Sequence, residues 1–272
     1  MKNIHRLLPM SGRSEIAAGI CMGLLIGGAI LAFVSFPVVW SEASGFSSSN
    51  SAFVSSFIRK QRNQAHFADF GGESASHDVR YMADWIADSH DAAGSAFVIV
   101  DKKYAKVYVF DADARLLGSS PVLLGAASGD DSMPGIGLRP IDEVLPGERT
   151  TPAGRFVGER GHNSRGEDVV WVDYDAAVSM HRVLTTNPAE RRLERLATPA
   201  SDDKRISYGC INVPIAFYEA YIQPTFATHR AIVYVLPEVK SLEQVFGSYD
   251  VAAARGLVRI QSERTTRNDP LQ

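Results

Sequence analysis

The segment Arg205-Ile206-Ser207-Tyr208-Gly209-Cys210-Ile211-Asn212-Val213 gathers residue types that suit acyl transfer through a thioester. A cysteine attacks a carbonyl only as its thiolate, and a free thiol is only a few per cent ionised at neutral pH. It therefore needs a neighbouring base or a local positive field. Gly209, just before the cysteine, permits a close backbone approach or a positive φ at the end of a strand. Backbone N–H groups beside the nucleophile can then face a developing oxyanion. Asn212 lies two residues on, which on a strand is the same face as Cys210.

The base must come from elsewhere in the chain. Among seven histidines, His181 closes Ala176-Ala177-Val178-Ser179-Met180-His181, a run that reads as the end of a strand. His5 lies in the N-terminal segment, and His66 and His77 in a Ser/Gly-rich stretch. His90 ends a predicted helix, His162 sits in a polar loop, and His229 precedes a strand. A lone histidine is more often structural, but partnership with Cys210 makes His181 the candidate general acid and base.

Cysteine usage sharpens this reading. There are two cysteines, and Cys21 falls inside an apolar run from Ile16 to Trp40 that carries no charge. At about 1.5 Å per residue that run can cross a hydrocarbon core of roughly 30 Å. Lys2, Arg6 and Arg13 precede it, which keeps the N-terminus in the cytoplasm and sends the rest outside the inner membrane. A cleaved signal peptide ending near Ser41-Glu42-Ala43 is the alternative, and the length of the run favours the uncleaved anchor. Either way Cys210 is the single exported thiol and can form no internal disulfide. In an oxidising compartment such a thiol is a liability unless it is buried or used.

The elements that must position these residues are short strands. Phe97–Val100, Val107–Phe110, Leu116–Leu117, Val122–Leu124, Val169–Val172 and Ala231–Val235 are apolar and rich in β-branched residues, with turns between them. They predict a mainly β sandwich or barrel. Met82, Trp85 and Ile86 are spaced for a short helix, and Pro214–Tyr221 reads as another. Gly125 to Gly147 is a long Gly/Pro/Asp loop, read as a flap over a groove or as an insertion. The net charge of −3, with no concentrated basic surface, excludes a nucleic-acid partner. HExxH and paired-cysteine zinc patterns are absent, so no metal is expected.

Ser207-Tyr208-Gly209-Cys210-Ile211-Asn212 resembles the Ser-His-Gly-Cys-x-Asn signature of L,D-transpeptidase (YkuD-type) catalytic domains. Val98–Asp101 with Val107–Asp111 resembles that family's opening hairpin, and Pro121–Gly125 its next strand. Thr151-Pro152-Ala153-Gly154-Arg155-Phe156 is similar to its Thr-Pro-x-Gly-x-Phe element. The resemblance spans about 96–236. It implies a YkuD-like β fold with a few short helices, here preceded by the N-terminal transmembrane segment. The layout is then 1–15 cytoplasmic, 16–40 anchor or signal, 41–95 a Ser-rich tether with a short helix, 96–237 the catalytic domain and 238–272 a peripheral tail.

The resemblance also implies a mechanism. His181 deprotonates Cys210, and the thiolate attacks the carbonyl of the third residue of a peptidoglycan stem tetrapeptide. D-alanine leaves, and an amine acceptor resolves the thioester. The main-chain carbonyl of Arg182 orients the histidine, Gly209, Cys210 and Tyr208 supply oxyanion contacts, and Ser207, Asn212 and Arg205 lie on the substrate side. No cofactor is implied. Two alternatives stay open: transfer to water, as an L,D-carboxypeptidase or hydrolase, and a decayed, membrane-tethered envelope-binding module. Two departures bear on them. Tyr208 stands where the family has histidine, and a long insert, 185–204, separates His181 from Cys210. The insert carries Arg191, Arg192 and Arg195 with Glu190 and Glu194, either a solvated helix or a guanidinium cluster for a carboxylate.

Overall fold

The structure is a computed structural model that describes residues 65–227 and 230–256. The apolar run 16–40, the Ser-rich centre of the tether, His5 and His229 lie outside the described residues. Among the described residues no helix is long and apolar enough to cross a membrane.

Three strands are apolar at nearly every position: β1 (Phe97–Asp101), β2 (Lys106–Phe110) and β10 (Ala231–Val235). Side chains alternate along a strand, so a continuous apolar run means burial on both faces. Val98, Val100, Val107, Val109, Val233 and Val235 face one core, together with Val170, Met180, Ile211 and Tyr218. Phe97, Ile99, Tyr108, Phe110, Ile232 and Tyr234 face a second core, with Met82, Trp85 and Ile86 of helix α1 (His77–Ser89).

The remaining strands are β3 (Leu116–Pro121), β4 (Leu124–Gly125), β5 (Gly154–His162), β6 (Asp168–Asp173), β7 (Val178–Arg182), β8 (Arg205–Ser207) and β9 (Ile211–Val213). Eight of the ten strands form one sheet in the order β3-β2-β1-β10-β5-β6-β7-β9, while β4 pairs with β8. β1 runs parallel to β10 and β7 parallel to β9; the other pairings within the sheet are antiparallel. Leu123, just past β3, exchanges backbone hydrogen bonds of 2.9 and 2.8 Å with Asn212 of β9. The two ends of the strand order therefore meet, and the sheet is nearly a closed barrel around the first core. This is the mainly β architecture expected from the sequence.

The domain takes in more chain than the expected limits of 96 and 237. Helix α1 is capped by Ser76, whose hydroxyl accepts from Val79 N–H and donates to Asp101 at 2.6 Å. Residues 65–72 run along it, with Ala68 N–H donating to Asp84 and Asp69 bridging Arg115. The tether assignment follows Ser/Gly composition, but the apolar stripe of α1 can be buried only against the aromatic face of the sheet. Past residue 237, the short helices Leu242–Phe246 and Val251–Ala254 extend that core through Leu242 and Val251. Arg255 pairs with the buried Asp88 of α1 at 3.0 Å.

Candidate active site

The parallel pairing of β7 with β9 brings distant residues together, since Met180 is opposite Ile211 and His181 opposite Asn212. Cys210 immediately precedes β9, so one step back along the register its side chain meets the start of β7. Its Sγ lies 3.6 Å from Ser179 Oγ and 3.6 Å from the Ala177 carbonyl oxygen. His181 Nδ1 lies 2.7 Å from the carbonyl oxygen of Arg182. A carbonyl can only accept, so this contact places the ring proton on Nδ1 and leaves a lone pair on Nε2. Burial pushes the Cys210 thiol up, but a hydrogen bond and charge from His181, with the Ser179 backbone and hydroxyl, hold it below its ordinary range.

The acceptor carbonyl belongs to a well-anchored residue. Arg182 lies in β7 and pairs with Val213. Its guanidinium donates to Asp168 at 2.7 Å and to Glu219 at 3.2 Å, and lies 4.4 Å from the centre of the Tyr218 ring. Burial and the neighbouring Asp168 charge push the Tyr218 hydroxyl up to about 12, so it stays protonated. Tyr218 comes from the helical segment 215–225 that closes this end of the barrel core.

Gly209 has φ +131°, and a Cβ there would lie 2.8 Å from the Thr150 carbonyl oxygen. Both properties require glycine, as the sequence implied. The Gly209 carbonyl accepts from Thr151 Oγ1 at 2.8 Å, and that oxygen accepts from Gly125 N–H at 2.9 Å. In a trans peptide the N–H points away from the carbonyl. Fixing the Gly209 carbonyl toward Thr151 thus turns the Cys210 N–H the other way, where it has no partner among the described residues. The Cys210 carbonyl accepts from Ser207 Oγ at 2.6 Å and Asn212 Nδ2 at 3.2 Å. Ser207 Oγ in turn accepts from Gly209 N–H at 3.1 Å.

The sequence-derived site residues therefore divide. Cys210, His181, Gly209 and the Arg182 carbonyl come together. Ser207 and Asn212, expected on the substrate side, are buried and turned inward to hold the Cys210 carbonyl. Arg205 is a correction: its guanidinium donates to Glu238 and, at 3.0 Å, to the Lys102 carbonyl, within a buried ionic cluster. Arg205 opens β8 at the end farther from the nucleophile, where Lys102 and Glu238 lie within its reach. Tyr208 is half-exposed, and its ring lies 4.0 Å from the Arg149 guanidinium carbon. The loop 126–149 carries Arg149 and buries Ile136 and Val144. A Cβ on its Gly137 would meet the Asp175 carbonyl at 2.3 Å, so the loop packs on the turn before β7.

Sequence reasoning missed Ser179, Thr151 and Arg192 as neighbours of the nucleophile. Thr151 was visible only as part of the Thr-Pro-x-Gly-x-Phe element, and Ser179 only as the residue two before His181. Arg192 carried no separate signal among the arginines of the insert.

No protein-family model matches the chain, and no curated protein matches it. Among solved structures it is similar to the helical cell shape determining protein Pgp2 from Campylobacter jejuni, at 16% identity and a TM-score of 0.36 over 54% of this chain and 49% of that one. An L,D-transpeptidase from Mycobacterium tuberculosis H37Rv is similar at 16% identity and TM-score 0.32, over 52% of this chain and 57% of that one. The catalytic domain of the E. faecium L,D-transpeptidase is similar at 15% identity and TM-score 0.27, over 53% of this chain and 98% of that one. Similar structures are mostly L,D-transpeptidases. The chain spans about half the length of the first of these proteins.

Proposed function

We propose that the protein is a cysteine-dependent L,D-transpeptidase acting on peptidoglycan stem peptides. The observation that carries the reading is a single arrangement. The Cys210 thiol is held below its ordinary range beside a histidine whose Nδ1 is committed to the Arg182 carbonyl. The resemblance of Ser207–Asn212 to the family signature supplies the substrate class.

In the first step the Cys210 proton passes to His181 Nε2, and Sγ attacks the carbonyl carbon of the third stem residue. The oxyanion forms beside the outward-facing Cys210 N–H, where a donor oriented in advance stabilises the charge. His181 then protonates the departing D-alanine nitrogen, the C–N bond breaks and a thioester remains. In the second step an acceptor amine loses its proton to Nε2 and attacks the thioester. The C–S bond breaks and the thiol is restored. Transfer to water uses the same groups, and products formed with and without an added acceptor amine separate the two outcomes.

Intact mass after exposure to a carbapenem tests the first step. One acyl adduct is expected on the wild type and none on Cys210→Ala. A well-folded wild type that takes up no adduct would overturn the reading in favour of a binding module. The segment 16–40 is proposed to anchor the domain in the inner membrane with residues 41 onward in the periplasm. A reporter active only outside the cytoplasm, fused after residue 60, should be active; an inactive fusion removes that placement.

A further inference from the structure

The insert 185–204 reaches into the nucleophile loop through one side chain. Arg192, at the start of α2 (Arg192–Ala197), donates from Nη1 to Asn212 Oδ1 at 2.6 Å. It is itself paired through Nε with Glu190 of the same insert, and its side chain is only 13% exposed. Asn212 is 1% exposed, and its Nδ2 donates to the Cys210 carbonyl.

We propose that Arg192 is a positioning residue that orients the Asn212 amide and, through it, the Cys210 peptide. This rests on Cys210 being the nucleophile of the proposed reaction. The argument is one of donors and acceptors. A guanidinium has only donors, so the amide oxygen must face Arg192. The amide nitrogen is then forced toward the Cys210 carbonyl, where a donor is needed. Without Arg192 the buried amide could turn over and set its oxygen against that carbonyl, which is repulsive. The Cys210 carbonyl would then depend on Ser207 alone. The Sγ position relative to His181 and Ser179 would loosen with it.

The rest of the insert is built to hold Arg192 still. Arg195 donates from Nε to the Glu190 carbonyl at 2.9 Å and from Nη1 to the Asp203 carbonyl at 2.8 Å. The buried Lys204 ammonium donates to the carbonyls of Thr198 at 2.6 Å and Ala200 at 3.0 Å. Leu196 packs with Leu123 and Val183, the residues next to β9 and β7. The insert is thereby a bracket on the Cys210 loop.

The test measures iodoacetamide alkylation of Cys210 against pH, together with carbapenem acylation, in the full chain. Arg192→Ala should slow both by about tenfold, the scale of one charge-assisted hydrogen bond, and move the alkylation midpoint to higher pH. Arg192→Lys, which keeps a donor, should recover part of the rate and of the midpoint. Lys204→Met loosens the insert but keeps the Arg192 guanidinium that faces Asn212, and should move the midpoint less than Arg192→Ala does. Wild-type rate and midpoint in Arg192→Ala would overturn the inference while leaving the transpeptidase reading intact. So would an equal upward shift in Lys204→Met, which would reduce Arg192 to general support. A wild type that is alkylated but not acylated, with the midpoint still moved by Arg192→Ala, would sink the transpeptidase reading and uphold this one.

Discussion

The two ends of the segment 205–213 are held by opposite chemistry. At the Arg205 end, four charged side chains are packed out of water. Lys102 Nζ lies 2.8 Å from Asp130 and 3.7 Å from Glu238, with Arg205 paired to Glu238. At the Cys210 end the loop is held by neutral groups, namely the hydroxyls of Ser207 and Thr151 and the amide of Asn212. The charges that border this second region, on Arg192, Arg182 and Arg149, are positive, and the first two are balanced by Glu190 and Asp168. A buried ionic cluster holds a fold together strongly once formed, but a carboxylate beside a thiol would favour its protonated form. Separating the two kinds of anchor along one short segment gives rigidity at one end and an ionisable thiol at the other.

The comparison breaks most sharply at His181. His181→Ala should lower the carbapenem acylation rate by about a hundredfold to ten-thousandfold, the usual range for a lost general base. The melting temperature should barely move, because His181 is partly exposed. The pH dependence follows from the thiol. Since Cys210 is held below its ordinary range, the wild-type alkylation rate should rise through a midpoint lower than that of a free thiol. In His181→Ala that midpoint should move up, because burial is left to act with less opposition. A midpoint unchanged by the substitution would mean that the imidazole does not set the thiol.

The opposite end should fail in the opposite way. Lys102→Met leaves Asp130 and Glu238 without their ammonium, and breaking a buried pair costs about 3–5 kcal/mol. Asp130 keeps hydrogen bonds from the backbone N–H groups of Glu238, Val239 and Lys240, which should place the loss near the lower figure. Denaturant unfolding measures it, and the alkylation midpoint of the folded fraction should stay near wild type. The wild-type cluster also has an acid limit. Burial raises the Asp130 carboxyl, but Lys102 and those N–H groups hold it down at about 2. With an unfolded value near 3.9, its stabilising effect is complete above that pH and is lost as the pH falls toward 2. Asp130→Asn should flatten this part of the stability curve.

These networks also explain what could and could not be read in advance. β1, β2 and β10 were legible because burial on both faces writes an unbroken apolar run. Gly209 was legible because its φ and its approach to Thr150 admit no other residue. Ser207 and Asn212 could be named but not aimed, since a motif does not say whether a hydroxyl faces a ligand or its own backbone. Lys102 gave no sign, because a lysine after an apolar strand reads as a turn residue until Asp130 and Glu238 are folded against it. Residues 65–95 were masked by their Ser/Gly content, although the spacing of Met82, Trp85 and Ile86 already described a face in need of a partner.

Gly209→Ala tests both regions at once on a smaller scale. A Cβ forced toward the Thr150 carbonyl, at a φ that L residues rarely adopt, should cost about 1–3 kcal/mol of stability. It should also displace the Gly209 carbonyl from Thr151, turning the Cys210 N–H and slowing acylation more than alkylation. Alkylation forms no oxyanion and needs only the thiolate. Equal losses in the two rates would remove the oxyanion role from that N–H and leave Gly209 a purely structural requirement.

The smallest effect is expected at Tyr208, and it bears on the departure from the family signature. The ring is half-exposed and lies against the Arg149 guanidinium, an arrangement worth about 0.5–1 kcal/mol at an exposed site. Tyr208→Phe keeps that contact and removes only the hydroxyl. If the oxyanion relies on the Cys210 N–H, as the orientation of its peptide argues, acylation by a carbapenem should fall by less than about threefold, well under one hydrogen bond's worth of transition-state stabilisation. A loss of about a hundredfold with unchanged stability would instead make the phenol the principal oxyanion donor. The tyrosine would then be a working replacement for the family's histidine, and the neutral end of the segment would owe its chemistry to a side chain on its rim.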